Sequence, residues 1–219
     1  MHKEEMKREG NWILVTCIMV GVVCILMLTP GLSRAEEAKA NMTLDNLQSA
    51  YNGESNANAK YQAYALQADK EGLHKVARLF RAAASAEEVH LKNHAEVIKS
   101  MGATPMADIN LPAVKTTKDN LEDAIKGETY EDTKMYPEFI AQAEKENNAA
   151  AIQSFTYAKI AEAEHAKFYM KALENMKTWK AADVNFYVCP VCGWTVENKP
   201  GVANCPVCGT PAADFLIIS

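Results

Sequence analysis

The 219-residue sequence has no block of basic residues beyond its first few positions, and its formal net charge is −5. Nucleic-acid-binding proteins usually carry clustered lysine and arginine, so this charge pattern argues against a nucleic-acid partner. Cysteine is absent between Cys24 and Cys189. Thiol chemistry is therefore confined to the two ends of the chain.

One uncharged apolar run stands near the N-terminus, at residues 12–28. Basic residues precede it, a Pro-Gly pair follows it, and Ser33 and Ala35 suit the −3 and −1 positions of a cleavage site. We therefore predict that residues 1–35 are a signal peptide and that the protein is exported to the periplasm. A run of 17 residues is close to the shortest bilayer span, so an uncleaved membrane anchor facing the periplasm is the alternative.

Two Glu-x-x-His motifs organise the middle of the chain, one at residues 87–90 and one at residues 162–165. Residues at i and i+3 share a helix face, so each motif offers a carboxylate oxygen and an imidazole nitrogen to one point. Glu54 lies 33 residues before the first motif, and Glu128 lies 34 before the second. This doubled set is the ligand pattern of four-helix di-iron and di-manganese proteins, and it predicts a dinuclear metal site.

Apolar spacings of three and four residues predict four helices. The first ends near Lys70, and the fourth spans about residues 147–177. Residues 102–116 contain two prolines and no helical period, which predicts a long crossover between the second and third helices. The third helix should start near Thr117 and kink or tighten at Pro137, which lacks a backbone donor.

Two Cys-x-x-Cys-Gly segments near the C-terminus are separated by 12 residues, and their cysteines are Cys189, Cys192, Cys205 and Cys208. Adjacent pairs of this kind more often hold a metal than form disulfides, although disulfides are an alternative in an exported protein. Four thiolates accept either iron or zinc. The Cys-Pro-x-Cys-Gly form and the dinuclear site in the same chain favour iron.

The chain resembles the rubrerythrins over about residues 41–219. The resemblance is carried by Gly53-Glu54-Ser55, Glu87-Glu88-Val89-His90, Glu128-Thr129-Tyr130-Glu131, Met135-Tyr136-Pro137, Glu162-Ala163-Glu164-His165 and the two cysteine pairs. It implies an all-α ferritin-like four-helix bundle at residues 41–180. A small rubredoxin-like metal-bound β/knuckle domain is expected at residues 184–219.

The resemblance also implies roles for individual residues. The expected iron-pair ligands are Glu54, Glu87, His90, Glu128, Glu131, Glu162 and His165. Glu131 and His90 would alternate as ligands when one iron changes oxidation state, and Tyr61 and Tyr136 would hydrogen-bond the carboxylates; these four are the predicted catalytic residues. The four cysteines would hold a third iron. His94 matches no ligand of the family, so a structural or supporting role is expected for it.

The function that the resemblance implies is reduction of hydrogen peroxide to water, with electrons from an unidentified donor protein relayed through the thiolate-bound iron. The alternative is a ferritin-like protein that oxidises ferrous iron, with a structural zinc ribbon at its C-terminus.

The subunit arrangement is a further expectation. The 15 residues from His165 to Lys180, as straight helix, would extend about 22 Å at roughly 1.5 Å per residue. A chain's own thiolate iron would then lie more than about 20 Å from its own iron pair by the same rise. We therefore expect an antiparallel homodimer in which electrons cross between subunits.

Overall fold

The computed structural model describes residues 42–181 and 184–219. The predicted signal peptide or anchor at residues 1–35 lies outside the described residues. Asn41–Ser219 forms one compact unit, which contains both the predicted bundle and the cysteine-bearing segment. Within the part of the chain that the structure describes, we find no helix long and apolar enough to cross a membrane.

Long helices and three short strands make up this unit. The helices are α1 (Met42–Lys70), α2 (His74–Ser100), α3 (Thr117–Tyr130), α4 (Tyr136–Lys145) and α5 (Ala149–Glu174), and the strands are β1 (Phe186–Val188), β2 (Thr195–Glu197) and β3 (Leu216–Ile218). A π-helical segment, Glu131–Met135, joins α3 to α4, so these three pieces form one rod. With α1, α2 and α5, that rod completes the predicted four-helix bundle.

The hairpin between α1 and α2 is tight. Gly72 adopts φ +73°, a conformation that glycine tolerates without a steric penalty, and Leu73 N donates to Ala68 O at 2.9 Å. Ala82, Ala83 and Ala86 on α2 are fully buried. Because interaxial distance depends on the side chains at the contact, this alanine-rich surface lets α2 pack closely on its neighbours.

One stripe of α2, with spacings of three and four residues, is buried along the helix. Its buried members are Val76, Phe80, Ala83, Glu87, His90, His94 and Val97. An apolar cluster that includes Phe80 and Tyr61 lies at one end, and a second that includes Phe155 and Tyr136 lies at the other. The polar residues of the stripe therefore fall between two apolar clusters.

The crossover at residues 102–116 is held to α1 by side-chain amides. Gln48 Nε2 donates to Thr104 O at 2.8 Å, and Asn52 Oδ1 accepts from Asp108 N at 2.8 Å. One turn further, the Asn56 amide binds the crossover backbone through both its atoms. Amides spaced four residues apart thus replace the missing secondary-structure partners of the crossover, as the predicted long connection requires.

The third rod of the bundle, which consists of α3, the π segment and α4, does not kink or tighten at Pro137 as expected. The helix widens instead, because Tyr136 N donates to Glu131 O, five residues back. Such single π turns insert one extra residue and are frequent at functional sites. The extra residue rotates the chain so that Tyr136, eight residues after Glu128, also faces the core, and both side chains are fully buried.

The small domain folds back onto the bundle. Helix α5 ends at Glu174, and Lys180 O accepts from His74 N at 3.1 Å, at the start of α2. The strands form an antiparallel sheet in the order β2-β1-β3. Lys75 and Lys171 both pair with Glu197, at 2.6 and 2.7 Å. These contacts fix β2 against α2 and α5.

Candidate metal centre

Two overlapping groups of buried side chains lie in the middle of the bundle. One consists of Glu54, Glu87, His90 and Glu162, and the other of Glu87, Glu128, Glu162 and His165; the potential ligand atoms of each group all lie within 4.8 Å of one another. Glu87 and Glu162 belong to both groups. The arrangement is that of two adjacent cation sites bridged by two shared carboxylates.

Each rod of the bundle contributes to these groups. Helix α1 supplies Glu54 and the third rod supplies Glu128, while α2 and α5 each supply a Glu and a His three residues apart. This is the doubled pattern seen in the sequence. The structure thus brings together six of the seven predicted ligands.

The carboxylates of this core lack enough protein partners. Among the described residues, the buried carboxylate oxygens without a hydrogen bond include Glu54 Oε2, Glu87 Oε1 and Glu128 Oε2. Buried polar atoms are normally hydrogen-bonded, and a buried charge needs a partner. Atoms that converge without partners are what a pair of bound cations requires.

Both histidines turn the same ring nitrogen towards this core. His90 Nδ1 lies 2.9 Å from Glu87 Oε2 and 3.0 Å from Glu162 Oε1, and His165 Nδ1 lies 2.9 Å from Glu162 Oε2. Their Nε2 atoms face the small domain. His90 Nε2 lies 3.2 Å from Cys192 O, and His165 Nε2 lies 3.1 Å from Thr195 Oγ1.

These outer contacts suit a metal-bound imidazole. A ligating histidine usually donates its other N–H to an oxygen, which fixes the ring and its tautomer. With Nδ1 towards the core, the Nε2–H groups of His90 and His165 donate to the small domain. Thr195 Oγ1 in turn donates to Gly193 O at 3.0 Å. The small domain therefore orients both imidazoles.

Two tyrosines form hydrogen bonds with the carboxylates of Glu128 and Glu54. Tyr61 donates its hydroxyl to Glu128 Oε1 at 2.5 Å, and Tyr136 donates to Glu54 Oε1 in a short hydrogen bond. Both tyrosines are buried. Each leaves the second carboxylate oxygen of its partner free to face the centre, so each fixes a carboxylate orientation.

The charges of the core shift the pKa values of its members in opposite directions. Burial raises the pKa of Glu87 and Glu128 well above the usual range, and neighbouring carboxylates push it further. Burial acts on Glu162 in the same sense, but His90 and His165 outweigh it and lower its pKa to about 2. Burial lowers the pKa of His90, but Glu162 and Glu87 raise it well above normal. Without metal, protons must therefore replace part of the missing positive charge.

Glu131 is the predicted ligand that the structure leaves outside both groups. It is the first residue of the π segment and is half-buried. Loss of hydration, with the charges of Glu54 and Glu162, raises its pKa well above the usual range. This structure therefore presents the arrangement in which His90, rather than Glu131, belongs to the ligand set.

The four cysteines form a separate cluster, also with ligand atoms within 4.8 Å of one another. All four are free thiols, so the alternative of disulfides is wrong for this structure. The Cys192 thiol and the backbone N–H groups of Val191 and Cys192 lower the pKa of Cys189 to about 5, whereas the hydrogen bond to Cys189 raises the pKa of Cys192 and burial raises that of Cys205. A low thiol pKa favours the thiolate form that binds metal.

The cysteine cluster lies directly on the bundle site of its own chain. A Cβ added at Gly193 would meet His90 Nε2 at 2.1 Å. The expected separation of more than about 20 Å for a straight helix is therefore wrong, because α5 ends at Glu174 and the chain turns back. The geometric reason for electrons to cross between subunits disappears with it.

Gly193 and Thr195 are functional positions that sequence reasoning missed. Their sole sequence signal was their place in the first Cys-x-x-Cys-Gly segment and the strand after it. Gly193 and Gly209 both adopt positive φ, +76° and +79°, as the matching knuckles require. Only the packing of the small domain on α2 and α5 distinguishes Gly193 from Gly209.

The comparisons with known proteins agree with this geometry. The Rubrerythrin family model matches residues 45–173. Nigerythrin from Nitratidesulfovibrio vulgaris is 36% identical over 174 residues, which cover 79% of this chain and 85% of that protein. Rubrerythrin-2 from Clostridium acetobutylicum is 36% identical over 182 residues, which cover 81% and 97%. A structure of fully reduced, all-ferrous nigerythrin gives a TM-score of 0.74 at 36% identity, and the match covers 80% of this chain and 86% of that one.

The two donor sets hold iron. Mixed carboxylate and imidazole ligands suit an iron pair that cycles between oxidation states, and four thiolates suit a single iron. The paired groups in the bundle form the di-iron site, and the four cysteines form the mononuclear iron centre.

Metal removal should give the protein an unusual pH dependence. In the metal-free chain, Glu87, Glu128 and His90 have raised pKa values, so the folded state holds protons that the unfolded chain releases. Their contribution to stability is full below the unfolded pKa values, about 4.3 for Glu and 6.5 for His, and is lost as pH rises through the folded values. We expect the melting temperature of metal-free protein to fall between about pH 5 and pH 8 in scanning calorimetry over this range. Iron-loaded protein is the control, and a metal-free curve that rises with pH would contradict the assignment.

Gly193→Ala should separate the small domain from the bundle. Both Gly193→Ala and Gly209→Ala place a Cβ at positive φ, which costs about 1–2 kcal/mol. Only the first also meets His90, since nothing lies within 4 Å of the added Cβ at Gly209. We expect Gly193→Ala to lose about 1–3 kcal/mol more, the range for overpacking. Chemical denaturation measures this difference, and equal losses in the two variants would show that the contact with His90 does not hold the domain.

Proposed function

Because this chain belongs to the rubrerythrin family, we propose that it reduces hydrogen peroxide to water at its di-iron site. Membership makes the chain a di-iron oxidoreductase of oxidative-stress protection; the peroxidase reaction goes a step further. One observation supports the peroxidase reaction most directly. His90 faces the iron-pair site through Nδ1 and contacts the small domain through Nε2, so one side chain connects a site for two-electron chemistry to a one-electron centre.

The reaction needs two electrons and two protons for each peroxide, and it yields two waters. When bound, the iron pair supplies the two electrons that cleave the oxygen–oxygen bond. The protein holds the site closed and fixed for this purpose. Glu87 and Glu162 would each contribute to holding both irons, and Tyr61 and Tyr136 orient the outer carboxylates Glu128 and Glu54. The site residues are buried apart from the half-buried Glu131.

Electrons return to the site through a short route. The four cysteines, Cys192 among them, would hold the mononuclear iron, which would supply one-electron chemistry towards a donor protein. From the Cys192 sulfur the route follows the covalent chain to Cys192 O, crosses the 3.2 Å hydrogen bond to His90 Nε2, and continues through the ring to Nδ1. A single non-covalent step separates the two metal sites, which supports relay within one chain.

Peroxide consumption with a rubredoxin-type donor tests this function. We expect many peroxide equivalents to be consumed per chain. Cys192→Ser should lose the visible absorption of the ferric thiolate centre and donor-driven turnover, because that iron loses a ligand. Pre-reduced Cys192→Ser should still consume about one equivalent, which the two electrons of the iron pair supply. Iron oxidised in large excess over protein, without peroxide turnover, would instead support the ferritin-like alternative.

Mixing two variants separates relay within a chain from relay between chains. A Cys192→Ser chain keeps the bundle site, and a Glu87→Ala chain keeps the cysteine site. Because His90 contacts Cys192 of its own chain, a mixture in which subunits have exchanged should be no more active than its parts. Recovery of about a quarter of the wild-type activity, from one working pair in the half of the dimers that are mixed, would instead support electron crossing in an antiparallel homodimer. The homodimer itself stays a prediction.

We also propose that the protein works outside the cytoplasm. This rests on the apolar run at residues 12–28 and the cleavage-site residues Ser33 and Ala35. Cell fractionation followed by mass spectrometry should find a chain that begins after Ala35 in the periplasm. A membrane-bound chain of full length would indicate the anchor instead, and a cytoplasmic chain would contradict export.

A further inference from the structure

A line of hydrogen-bonded side chains joins the surface of the bundle to Glu54. Ser154 Oγ lies 2.7 Å from His94 Nδ1, His94 Nε2 lies 3.2 Å from the Tyr136 hydroxyl oxygen, and Tyr136 donates to Glu54 Oε1. His94 and Tyr136 are fully buried, and Ser154 is 4% exposed. The line runs through α5, α2 and the third rod, so it depends on tertiary packing.

The partners fix the direction of every hydrogen bond in this line. An ionised carboxylate only accepts, so Tyr136 donates to Glu54, and its oxygen is left to accept from His94 Nε2–H. The other ring nitrogen, Nδ1, then carries a lone pair and accepts from the Ser154 hydroxyl. All three donors therefore point inwards, from Ser154 towards the di-iron site.

The outer end of the line opens on water. Ser154 lines a groove of about 410 Å³ between α2, α5 and the first cysteine knuckle. Asn93, Gln153 and Tyr157 also line it, so the groove is polar enough and large enough to hold ordered water. The Ser154 hydroxyl proton is directed to His94, which leaves the oxygen lone pairs free to bind a water in the groove.

We propose that Ser154, His94 and Tyr136 form a proton relay from this groove to Glu54. The proposal rests on the peroxidase function, whose reaction consumes two protons for each peroxide. A hydronium ion in the groove gives its proton to Ser154 Oγ and is left as water, as the Ser154 hydroxyl proton moves to His94 Nδ1. The Nε2 proton of His94 moves to the Tyr136 oxygen, and the Tyr136 proton moves to Glu54. One proton thus reaches the site, and none of the three relay groups changes its net charge. His94 is then protonated at Nδ1 instead of Nε2, so its ring must rotate and the two hydroxyls must turn back before the second proton passes.

This assignment explains a histidine that the metal site does not use. His94 belongs to neither ligand group, although it lies one turn beyond His90 on the same buried stripe. It packs against the rings of Phe155 and Tyr136, at centroid distances of 5.5 and 6.0 Å, where an apolar ring would fill the space. A buried imidazole with both nitrogens hydrogen-bonded in line is suited to proton transfer.

The relay is also separate from the electron route. Electrons reach the site through Cys192 and His90, whereas protons would reach it through Ser154 and Glu54. The two routes meet only at the di-iron site. A change at Ser154 should therefore alter proton delivery and leave electron delivery intact, which makes the proposal separable from the proposed function.

Ser154→Ala is the test variant, because it removes one hydroxyl and no metal ligand. Fully reduced holoprotein is mixed with hydrogen peroxide in a stopped-flow instrument, in H₂O and in D₂O. We expect oxidation of the variant to be slower by about tenfold or more, since positioned proton transfer contributes roughly 10²–10⁴-fold, with a larger solvent isotope effect than wild type. Ser154→Thr keeps the hydroxyl and should restore the rate.

Two controls exclude a merely structural effect. Gln153→Ala changes the same groove but lies outside the line, since Gln153 bonds Tyr157, and it should behave as wild type. Electron transfer from the mononuclear iron should stay unchanged in Ser154→Ala. A variant as fast as wild type, or one slowed without a larger isotope effect, would overturn the relay and leave the peroxidase function standing.

A second readout needs no turnover. In full-length protein loaded with zinc and labelled with ¹⁵N-histidine, nuclear magnetic resonance should show His94 protonated at Nε2, and Ser154→Ala should slow the exchange of this proton with water. A proton on Nδ1, or exchange that the substitution does not alter, would overturn the relay. This measurement decides the relay even if the wild-type protein fails to consume peroxide, an outcome that would refute the function alone.

Discussion

The burial of four glutamates in one helical core is the constraint on which the rest of the structure depends. Glu54, Glu87, Glu128 and Glu162 are all at most 1% exposed. An uncompensated buried ion costs several kcal/mol, whereas a whole domain is stable by only about 5–15 kcal/mol. Protein groups alone do not offset these charges, as the unpartnered oxygens show. Two divalent cations carry as much positive charge as four carboxylates carry negative charge, so the metals are part of what stabilises the bundle.

The same constraint extends into the small domain. A histidine that binds metal through Nδ1 needs an acceptor for Nε2–H, and the small domain provides both acceptors, at Cys192 O and Thr195 Oγ1. A domain of about 35 residues buries too little apolar surface to fold without a metal or contacts with another domain. The small domain has both a four-cysteine metal site and contacts with the bundle. The docking that completes the ligand geometry of the bundle therefore also shortens the path between the metals. The hydrogen bond between His90 and Cys192 that supports the ligand is also the one that the proposed electron route crosses.

The local part of this structure was readable from the sequence. The repeated Glu-x-x-His motif predicted which side chains converge, because i, i+3 spacing on a helix fixes their direction, and the buried stripe of α2 followed its period. The turn after Glu174 was not readable, since residues 175–180 carry no strong breaker and the return depends on contacts with α2. The π turn could not be predicted from the sequence for a similar reason. Pro137 predicted an irregularity in the third rod. Whether a helix tightens or widens at such a point depends on which side chains must face the core, here those of Glu128 and Tyr136.

The position of Glu131 follows from the same charge argument. In this structure four carboxylates and two imidazoles surround the site, which matches two ferrous ions in charge. Oxidation would add positive charge and so favour a further anion. Glu131 starts the π segment, half-buried and close enough for Glu54 and Glu162 to raise its pKa. Single π turns within α-helices are frequent at functional sites. The irregular segment thus places a spare carboxylate beside a site whose charge changes during the reaction, while the regular helices keep the other ligands fixed.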